Sequence, residues 1–137
     1  MMLSGVADTH ALVWYATGEF RKIGNAARSV FEAADRKDGS GIVYAPTIVL
    51  HEISSLLIGG RIELADPFSH WVRSLERHGF FIIVDITAQT VVSADNFKGI
   101  PDPFDRLIMG CAALLGQPVM TADERITNSK LVQIIWD

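Results

Sequence analysis

Residues 3–16 read LSGVADTHALVWYA, an apolar run that passes through one aspartate directly into a helical pattern. Leu3–Ala7 predicts a strand, and Thr9–Ala16 predicts a short helix that begins right after it. Asp8 therefore follows the carboxyl end of the strand and also stands where an N-cap residue belongs. A strand that runs straight into a helix is typical of α/β folds, so this stretch decides the fold class.

The same alternation continues along the rest of the chain. Because strands separated by helices return through right-handed crossovers, we expect an α/β fold with three α/β/α layers and a mainly parallel sheet. Nothing repeats at a fixed period and no Gly/Ser/Pro-rich linker divides the sequence, so residues 1–137 are predicted to form a single domain. Further strands are predicted at Ile42–Ala45, Phe80–Ile86 (buried on both faces), Pro118–Thr121 and, at the sheet edge, Leu131–Trp136, with further helices at Ala26–Arg36, from an N-cap at Thr47 to Ile58, and at Pro67–Arg77, Thr87–Ala94 and Pro103–Leu115.

The composition is that of an ordinary globular chain, with 49% hydrophobic residues, 20% charged residues and a net charge of −4. This charge argues against a general nucleic-acid-coating protein, but not against an enzyme that handles a polyanion through bound metal. The single cysteine, Cys111, excludes an internal disulfide and a thiolate zinc cluster. Because no secretory leader and no apolar run of about 18 residues is visible, we expect a cytoplasmic protein that does not enter a membrane.

Four acidic residues stand in apolar surroundings, where an ionised carboxylate is costly unless it is paired or binds a cation. Asp8 and Asp123 each come just after a predicted strand. Glu52 lies at the edge of the apolar arc of its helix, and Asp105 lies on the inward face of the Pro103–Leu115 helix. The other acids are mostly in hydrophilic stretches, which is typical of a solvated surface.

Each of these four acids also has a purely structural explanation. Asp8 is suited to capping the helix that follows it, and Glu52 to lying at the boundary of the core. Asp105 would complement the dipole of its helix, and Asp123 would form a turn or a cap. Together, these explanations do not account for two acids at strand ends and two more on inward helix faces.

If parallel strands bring those ends to one rim, four carboxylates converge and repel each other unless cations neutralise them. Ligands that are all oxygen suit Mg²⁺ or Mn²⁺. A carboxylate-held divalent ion, without a nucleophilic Ser or Cys arrangement, points to phosphodiester hydrolysis by metal-activated water. A zinc-protease reading of His51-Glu52 fails because Ser55 stands where the second histidine would be needed.

At these residues the chain resembles the PIN-domain family, specifically the VapC-type ribonuclease toxins of bacterial and archaeal toxin–antitoxin pairs. The order and spacing of the motifs fit across essentially the whole chain. The residues that carry the resemblance are Asp8-Thr9-His10-Ala11-Leu12-Val13-Trp14, Glu52, Asp102-Pro103-Phe104-Asp105-Arg106-Leu107-Ile108 and Thr121-Ala122-Asp123.

The resemblance implies a three-layer fold around a parallel sheet and an endoribonuclease activity that depends on Mg²⁺ or Mn²⁺. It also implies an RNA substrate, a homodimer, and an antitoxin whose tail covers the acidic groove. Thr121 matches a position that supports the metal site through its hydroxyl, and Asp102 looks more like a helix cap. The acidic quartet carries over to Asp8, Glu52, Asp105 and Asp123, with Thr121, Asp102, Thr9 and Arg106 in supporting positions.

Other interpretations remain open at this point. The main alternative is a catalytically inactive PIN-like module that binds protein or RNA. A haloacid-dehalogenase-like phosphotransferase needs a second aspartate where this chain has His10, and a receiver-like module needs paired acids after the first strand. His10 either contacts substrate or makes a structural hydrogen bond, and Arg106 and Arg125 either contact phosphate or pair with acids in solvent.

Overall fold

The computed structural model describes residues 2–137. These residues form five strands and seven α-helices, with two short 3-10 helices at Phe20–Lys22 and Asp95–Phe97. In chain order the elements are β1 (Leu3–Ala7), α1 (Thr9–Ala16), α2 (Asn25–Asp35), β2 (Gly41–Pro46), α3 (Thr47–Ile58), α4 (Phe68–His78), β3 (Phe81–Val84), α5 (Ala88–Ala94), α6 (Pro103–Leu115), β4 (Val119–Met120), α7 (Glu124–Ser129) and β5 (Ile134–Ile135).

The strands make one sheet in the order β3-β2-β1-β4-β5, and all four neighbouring pairs are parallel. The predicted α/β fold with a parallel sheet is therefore confirmed. The chain first builds outward from β1 on one side and then crosses over to the other, so the strand order reverses between β1 and β4. Open α/β sheets bind their ligands at such a reversal, beyond the carboxyl ends of the strands.

The core consists of two clusters of buried side chains. The larger cluster includes Val6 of β1 and Phe31 of α2, and the smaller one includes Phe97 and Ile126. Helix α6 joins the two, because Ile108 belongs to the larger cluster and its neighbour Met109 to the smaller. This explains why the sequence of α6 is apolar nearly all around.

The strand predicted at Phe80–Ile86 is shorter in the structure, Phe81–Val84, and the prediction that both of its faces are buried is wrong. β3 is an outermost strand of the sheet, and Ile82 on it is 37% exposed. An unbroken apolar run does not reveal whether a strand has neighbours on both sides, because its position in the sheet depends on chain crossovers elsewhere.

Thr47 is not the N-cap of α3, as the sequence predicts, because Pro46 occupies that position. The Thr47 hydroxyl instead accepts a hydrogen bond from the backbone N–H of Ile86, at 3.0 Å, and so ties the end of β3 to the start of α3. Helix α7 was not predicted, since a helix of six residues is too short to show a periodic pattern. Within residues 2–137 no helix combines the length and apolar character that crossing a bilayer requires.

Candidate active site

A pocket of about 350 Å³ opens beyond the carboxyl ends of β1 and β4, and all four predicted acids line it. The pairing of β1 with β4 explains part of this convergence. Ala7 is opposite Met120 in the register, so Asp8 and Thr121, the residues that follow them, are neighbours on adjacent strands. The pocket is lined by Asp8, Glu52, Asp102, Asp105 and Asp123, together with Thr9, His10, Trp14, Ile108, Ala122 and Arg125.

Asp8 is the N-cap of α1, and its Oδ1 accepts a hydrogen bond from the backbone N–H of Ala11 at 2.9 Å. The side chain is buried, with 8% of the residue exposed. Burial raises the pKa of Asp8, while hydrogen bonds from Thr121 and Ala11 and the nearby His10 oppose the rise. The structural role and the proposed functional role therefore fall on the same carboxylate, because Asp8 has a second oxygen that the cap does not use.

Glu52 is held in place by α1 although it lies on α3. The hydroxyl of Thr9 donates to Glu52 Oε1 at 2.7 Å, a link between residues 43 positions apart in the chain. Burial raises the pKa of Glu52, the Thr9 hydrogen bond lowers it, and the nearby carboxylate of Asp102 raises it again. Thr9 itself is buried, so this positioning contact is shielded from water.

The carboxyl group of Asp105 is half-buried among other negatively charged side chains. Burial, followed by the negative charges of Asp102, Asp123 and Glu52, raises the pKa of Asp105 to about 7. Asp102 is the N-cap of α6, since its Oδ1 accepts from the backbone N–H groups of Phe104 and Asp105 at 2.8 and 3.4 Å. The mutual repulsion that the sequence predicts is therefore present, and a cation in the pocket would relieve it.

Asp123 caps α7 and pairs with Arg125. Its Oδ1 accepts from the Arg125 backbone N–H at 2.8 Å, and its Oδ2 is 3.5 Å from the guanidinium of the same residue. Thr121 supports Asp123 from the other side, because its hydroxyl accepts from the Asp123 backbone N–H at 3.0 Å. With Asp8, Asp102 and Asp123 all acting as N-caps, three helix N-termini face the pocket, and their dipoles partly offset its negative charge.

The donor set of the pocket fits a hard divalent cation, because it consists of carboxylate and hydroxyl oxygens. Among residues 2–137, however, no three His, Cys, Asp or Glu side chains stand close enough together to hold a metal ion as they are. Mg²⁺ usually keeps several of its waters and takes only one or two protein carboxylates directly, so a wider spacing is compatible with it. The acids available to hold the ion are Asp8, Asp105 and Asp123, with Glu52 beside them.

Arg106, a predicted supporting residue, lies outside the pocket, and Trp14, which was not predicted to belong to the site, lines it. Arg106 turns away to the loop before α6, where it donates to the carbonyl oxygens of Ile100 and Pro101 at 2.6 and 3.0 Å. Trp14, which the sequence marks only as the last residue of the Asp8–Trp14 motif, packs against the larger core cluster and also lies in the pocket wall. The available signal was its spacing of four residues from His10, which puts both rings on one face of α1.

A second cavity, of about 510 Å³, lies between α1, α4 and β3. Its polar groups form a chain in which the Tyr15 hydroxyl donates to Asp35, and Asp35 Oδ1 is 2.7 Å from His78 Nε2. Asp35 is the one carboxylate among the described residues that line it, so this cavity does not suit a divalent cation. The larger cavity is separate from the acidic site, because the two share no lining residue.

Comparisons with known proteins identify the family of the chain. The family model that describes the PIN domain matches residues 6–130. Ribonuclease VapC22 of Mycobacterium tuberculosis (strain ATCC 25618 / H37Rv) is 28% identical over 131 residues, which cover 94% of this chain and 94% of that protein.

Solved structures show the same fold at lower identity. VapBC2 from Rickettsia felis, bound to a DNA fragment from its promoter, superposes with a TM-score of 0.67 at 13% identity over 98% of this chain and 100% of that one. DNA-bound VapBC from Salmonella typhimurium gives a TM-score of 0.63 at 18% identity, over 98% and 97% of the two chains. The match of the family model to nearly the whole chain confirms the resemblance seen in the sequence: the chain belongs to the PIN domain family.

Proposed function

We propose that this protein is a metal-dependent endoribonuclease and the toxin component of a type II toxin–antitoxin pair, which hydrolyses RNA phosphodiester bonds with Mg²⁺ or Mn²⁺. The observation that carries the proposal is the convergence of Asp8, Glu52, Asp105 and Asp123 on one pocket. The similarity to Ribonuclease VapC22 over nearly the whole length of both chains supports RNA as the substrate.

In the proposed mechanism, Asp8, Asp105 and Asp123 would hold the metal, directly or through its water ligands. When bound, the metal would lower the pKa of a water molecule and would stabilise negative charge on the phosphate oxygens. Glu52 orients the attacking water or takes its proton, and the Thr9 hydroxyl fixes the direction of that carboxylate. Thr121 keeps Asp123 and Asp8 in position through its hydroxyl.

The same proposal includes a protein partner. Solved structures with this fold include VapBC assemblies and a toxin–antitoxin complex from Klebsiella pneumoniae, which gives a TM-score of 0.58 at 14% identity. We therefore expect an antitoxin that covers the acidic pocket, and a homodimer as the form of the toxin. The proposed RNA substrate puts the site of action in the cytoplasm.

The decisive experiment is cleavage of total RNA by the purified protein, with and without Mg²⁺, for the wild type and for Asp8→Asn. Asparagine caps a helix as well as aspartate does, so the variant keeps the hydrogen bond from Ala11 and the fold. Because the substitution removes one negative ligand, we expect cleavage to fall by at least about a hundredfold. Thermal unfolding should show an unchanged cooperative transition.

Asp95→Asn is the matched control, since Asp95 is an exposed acid on a 3-10 helix and pairs only with exposed Lys98. This control should cleave RNA at the wild-type rate. Full activity of Asp8→Asn would contradict the assignment of the site. A wild type that binds no metal and cleaves no RNA would favour the alternative, an inactive PIN-like binding module.

A further inference from the structure

One wall of the acidic pocket is aromatic, and the metal chemistry proposed above does not use it. His10 and Trp14 line the pocket together with the carboxylates. We propose that these two side chains, here called the ring wall, stack against one base of single-stranded RNA beside the phosphodiester that is cut. This inference rests on the proposed function and adds to it the part of the substrate that the protein holds.

The two rings are arranged as a platform on α1. Their centroids are 5.8 Å apart, with the ring planes tilted by 49°. His10 is exposed, while Trp14 is half-buried and presents part of its indole to the pocket. The imidazole is therefore the more accessible of the two rings.

The indole of Trp14 is fixed from behind by Trp136, which follows β5. The centroids of these two indoles are 6.1 Å apart, with an interplanar angle of 55°. A ring that neighbouring groups already hold loses little conformational freedom when a ligand stacks on it. The wall is thus preorganised for a flat, apolar ligand surface.

The charge of the pocket favours contact with a base over contact with phosphate. The acids repel the RNA backbone except at the metal, and the chain as a whole has a net charge of −4. Arg125 is the one lysine or arginine among the described residues that line the pocket, and it pairs with Asp123. Base stacking on aromatic rings supplies binding free energy without positive charge and works with any base.

The position of the wall sets which base it holds. Asp8 caps α1, and His10 is only two residues further along the same chain, on the first turn of the helix. The imidazole is close enough to affect the pKa of Asp8, and both side chains line the same pocket of about 350 Å³, so the imidazole stands about one nucleotide from the carboxylate that is proposed to hold the metal. The stacked base therefore belongs to a nucleotide adjacent to the scissile phosphate.

The test measures RNA binding rather than turnover. All proteins carry Glu52→Gln, which keeps an oxygen to accept from Thr9 and leaves the RNA uncut. Fluorescence anisotropy with single-stranded oligoribonucleotides of about ten nucleotides in Mg²⁺ gives the Kd. The oligonucleotides carry an abasic site at one position at a time, and the protein variants are His10→Ala, His10→Phe, His10→Lys and Trp14→Leu.

We expect His10→Ala and Trp14→Leu to weaken binding by about tenfold, since stacking of one base is lost. His10→Phe should bind normally because it keeps a ring, whereas His10→Lys should bind weakly although it introduces a positive charge. One abasic position should weaken the parent protein by the same factor and should cost nothing further in His10→Ala. His70→Ala is the matched control, because His70 is exposed on α4, and it should bind as the parent does.

Several results would overturn the inference. If every abasic position weakens the parent and His10→Ala equally, the ring wall does not hold a base, although RNA cleavage by the wild type would still stand. The same conclusion follows if His10→Lys binds as well as His10→Phe. If Trp14→Leu disturbs the circular dichroism spectrum, the Kd values of His10→Ala, His10→Phe and His10→Lys alone test the inference. If the wild type neither binds nor cleaves RNA, the proposed function falls as well.

Discussion

At the scale of single residues, capping a helix and facing the pocket are not competing roles. Asp8 and Asp123 each use Oδ1 for the backbone N–H of the following helix, at 2.9 and 2.8 Å. The capping bond aims the carboxylate at the pocket and leaves the second oxygen outside the cap. The structural explanation of these acids is therefore correct, and it also explains how the proposed ligands are oriented.

The raised pKa of Asp105 predicts how the stability of the metal-free protein depends on pH. This pKa is about 7 in the folded protein against an ordinary value of 3.8, so the folded state binds more protons between these values. Stability should therefore fall as the pH rises from about 4 to about 7, and this loss should be smaller in Asp105→Asn, where only Asp8 and Glu52 remain as carboxyl groups of this pocket with a raised pKa. Thermal unfolding in EDTA across this range measures the difference.

Adding Mg²⁺ should then stabilise the wild type above about pH 7 and leave Asp105→Asn nearly unchanged, since a ligand stabilises the state that binds it. Asp95→Asn is again the control and should follow the wild type in both series. Parallel pH curves for the wild type and Asp105→Asn in EDTA would contradict the electrostatic description of the pocket.

Thr9→Val tests the contact that positions Glu52. Valine matches the buried threonine in shape but cannot donate to Glu52 Oε1, so the carboxylate loses its 2.7 Å hydrogen bond. We expect kcat for RNA cleavage to fall by about tenfold. Because that hydrogen bond lowers the pKa of Glu52, the acidic limb of the rate profile should also move to higher pH. Thr9→Ser keeps the hydroxyl and should retain both the rate and the profile; an unmoved limb in Thr9→Val would refute the positioning role.

At the scale of elements, the position of Asp105 depends on how tightly α6 packs against α5. Gly110 lies one and a half turns after Asp105 on α6, and it is buried. A Cβ at Gly110 would stand 2.7 Å from the backbone nitrogen of Ala94 and 3.0 Å from the carbonyl oxygen of Thr90. The close contact is therefore backbone to backbone, and a side chain there cannot be accommodated by a change of rotamer.

Gly110→Ala should accordingly destabilise the protein by about 1–3 kcal/mol despite the better helix propensity of alanine. Since the strain displaces α6, RNA cleavage should also decrease. Urea unfolding measures the stability. Gly99→Ala is the matched control, because a Cβ there meets nothing within 4 Å, and it should be neutral or slightly stabilising. A Gly110→Ala protein as stable as the control would show that the two helices separate easily.

At the scale of the whole molecule, Trp136 ties the edge of the sheet after β5 to helices α1 and α2. The carbonyl oxygen of Trp136 accepts from the backbone N–H of Ala27 on α2, at 3.0 Å. Its backbone also packs against Gly24, where a Cβ would come within 2.3 Å of the Trp136 carbonyl oxygen. Because its indole contacts Trp14, this residue joins the end of the sheet to α1, α2 and the pocket wall.

Trp136→Ala should therefore lower the free energy of unfolding by about 2–3 kcal/mol, less than for a fully buried tryptophan because this side chain is half-buried. Urea denaturation followed by circular dichroism checks the value. Leu131→Ala, at a residue that is 52% exposed, should change stability by no more than about 0.5 kcal/mol. Equal stability of the two variants would mean that Trp136 does not tie the C-terminal segment to the helices.

The sequence by itself was sufficient to predict the fold class, the boundaries of most elements to within a few residues, and the presence of four acids in one pocket. These features depend on local information. The strand Leu3–Ala7 is apolar, and α6 begins with an Asp-Pro signal. A carboxylate in an apolar stretch stands out because its charge is costly there unless it is paired or binds a cation. The placement of the acids in one pocket followed from a general property of parallel sheets rather than from any one residue.

Only the tertiary structure decided which strands lie at the edge, which side chains leave the pocket and which enter it. Ile82 is exposed on the edge strand β3, Arg106 donates to the carbonyl groups before its own helix, and Trp14 lines the pocket and contacts Trp136. Arg106 folds back onto the loop just before its own helix, but the positions of Ile82 and Trp14 depend on contacts between residues distant along the chain. Local sequence preferences do not encode such contacts, because they arise from the order in which the crossovers stack the strands and helices.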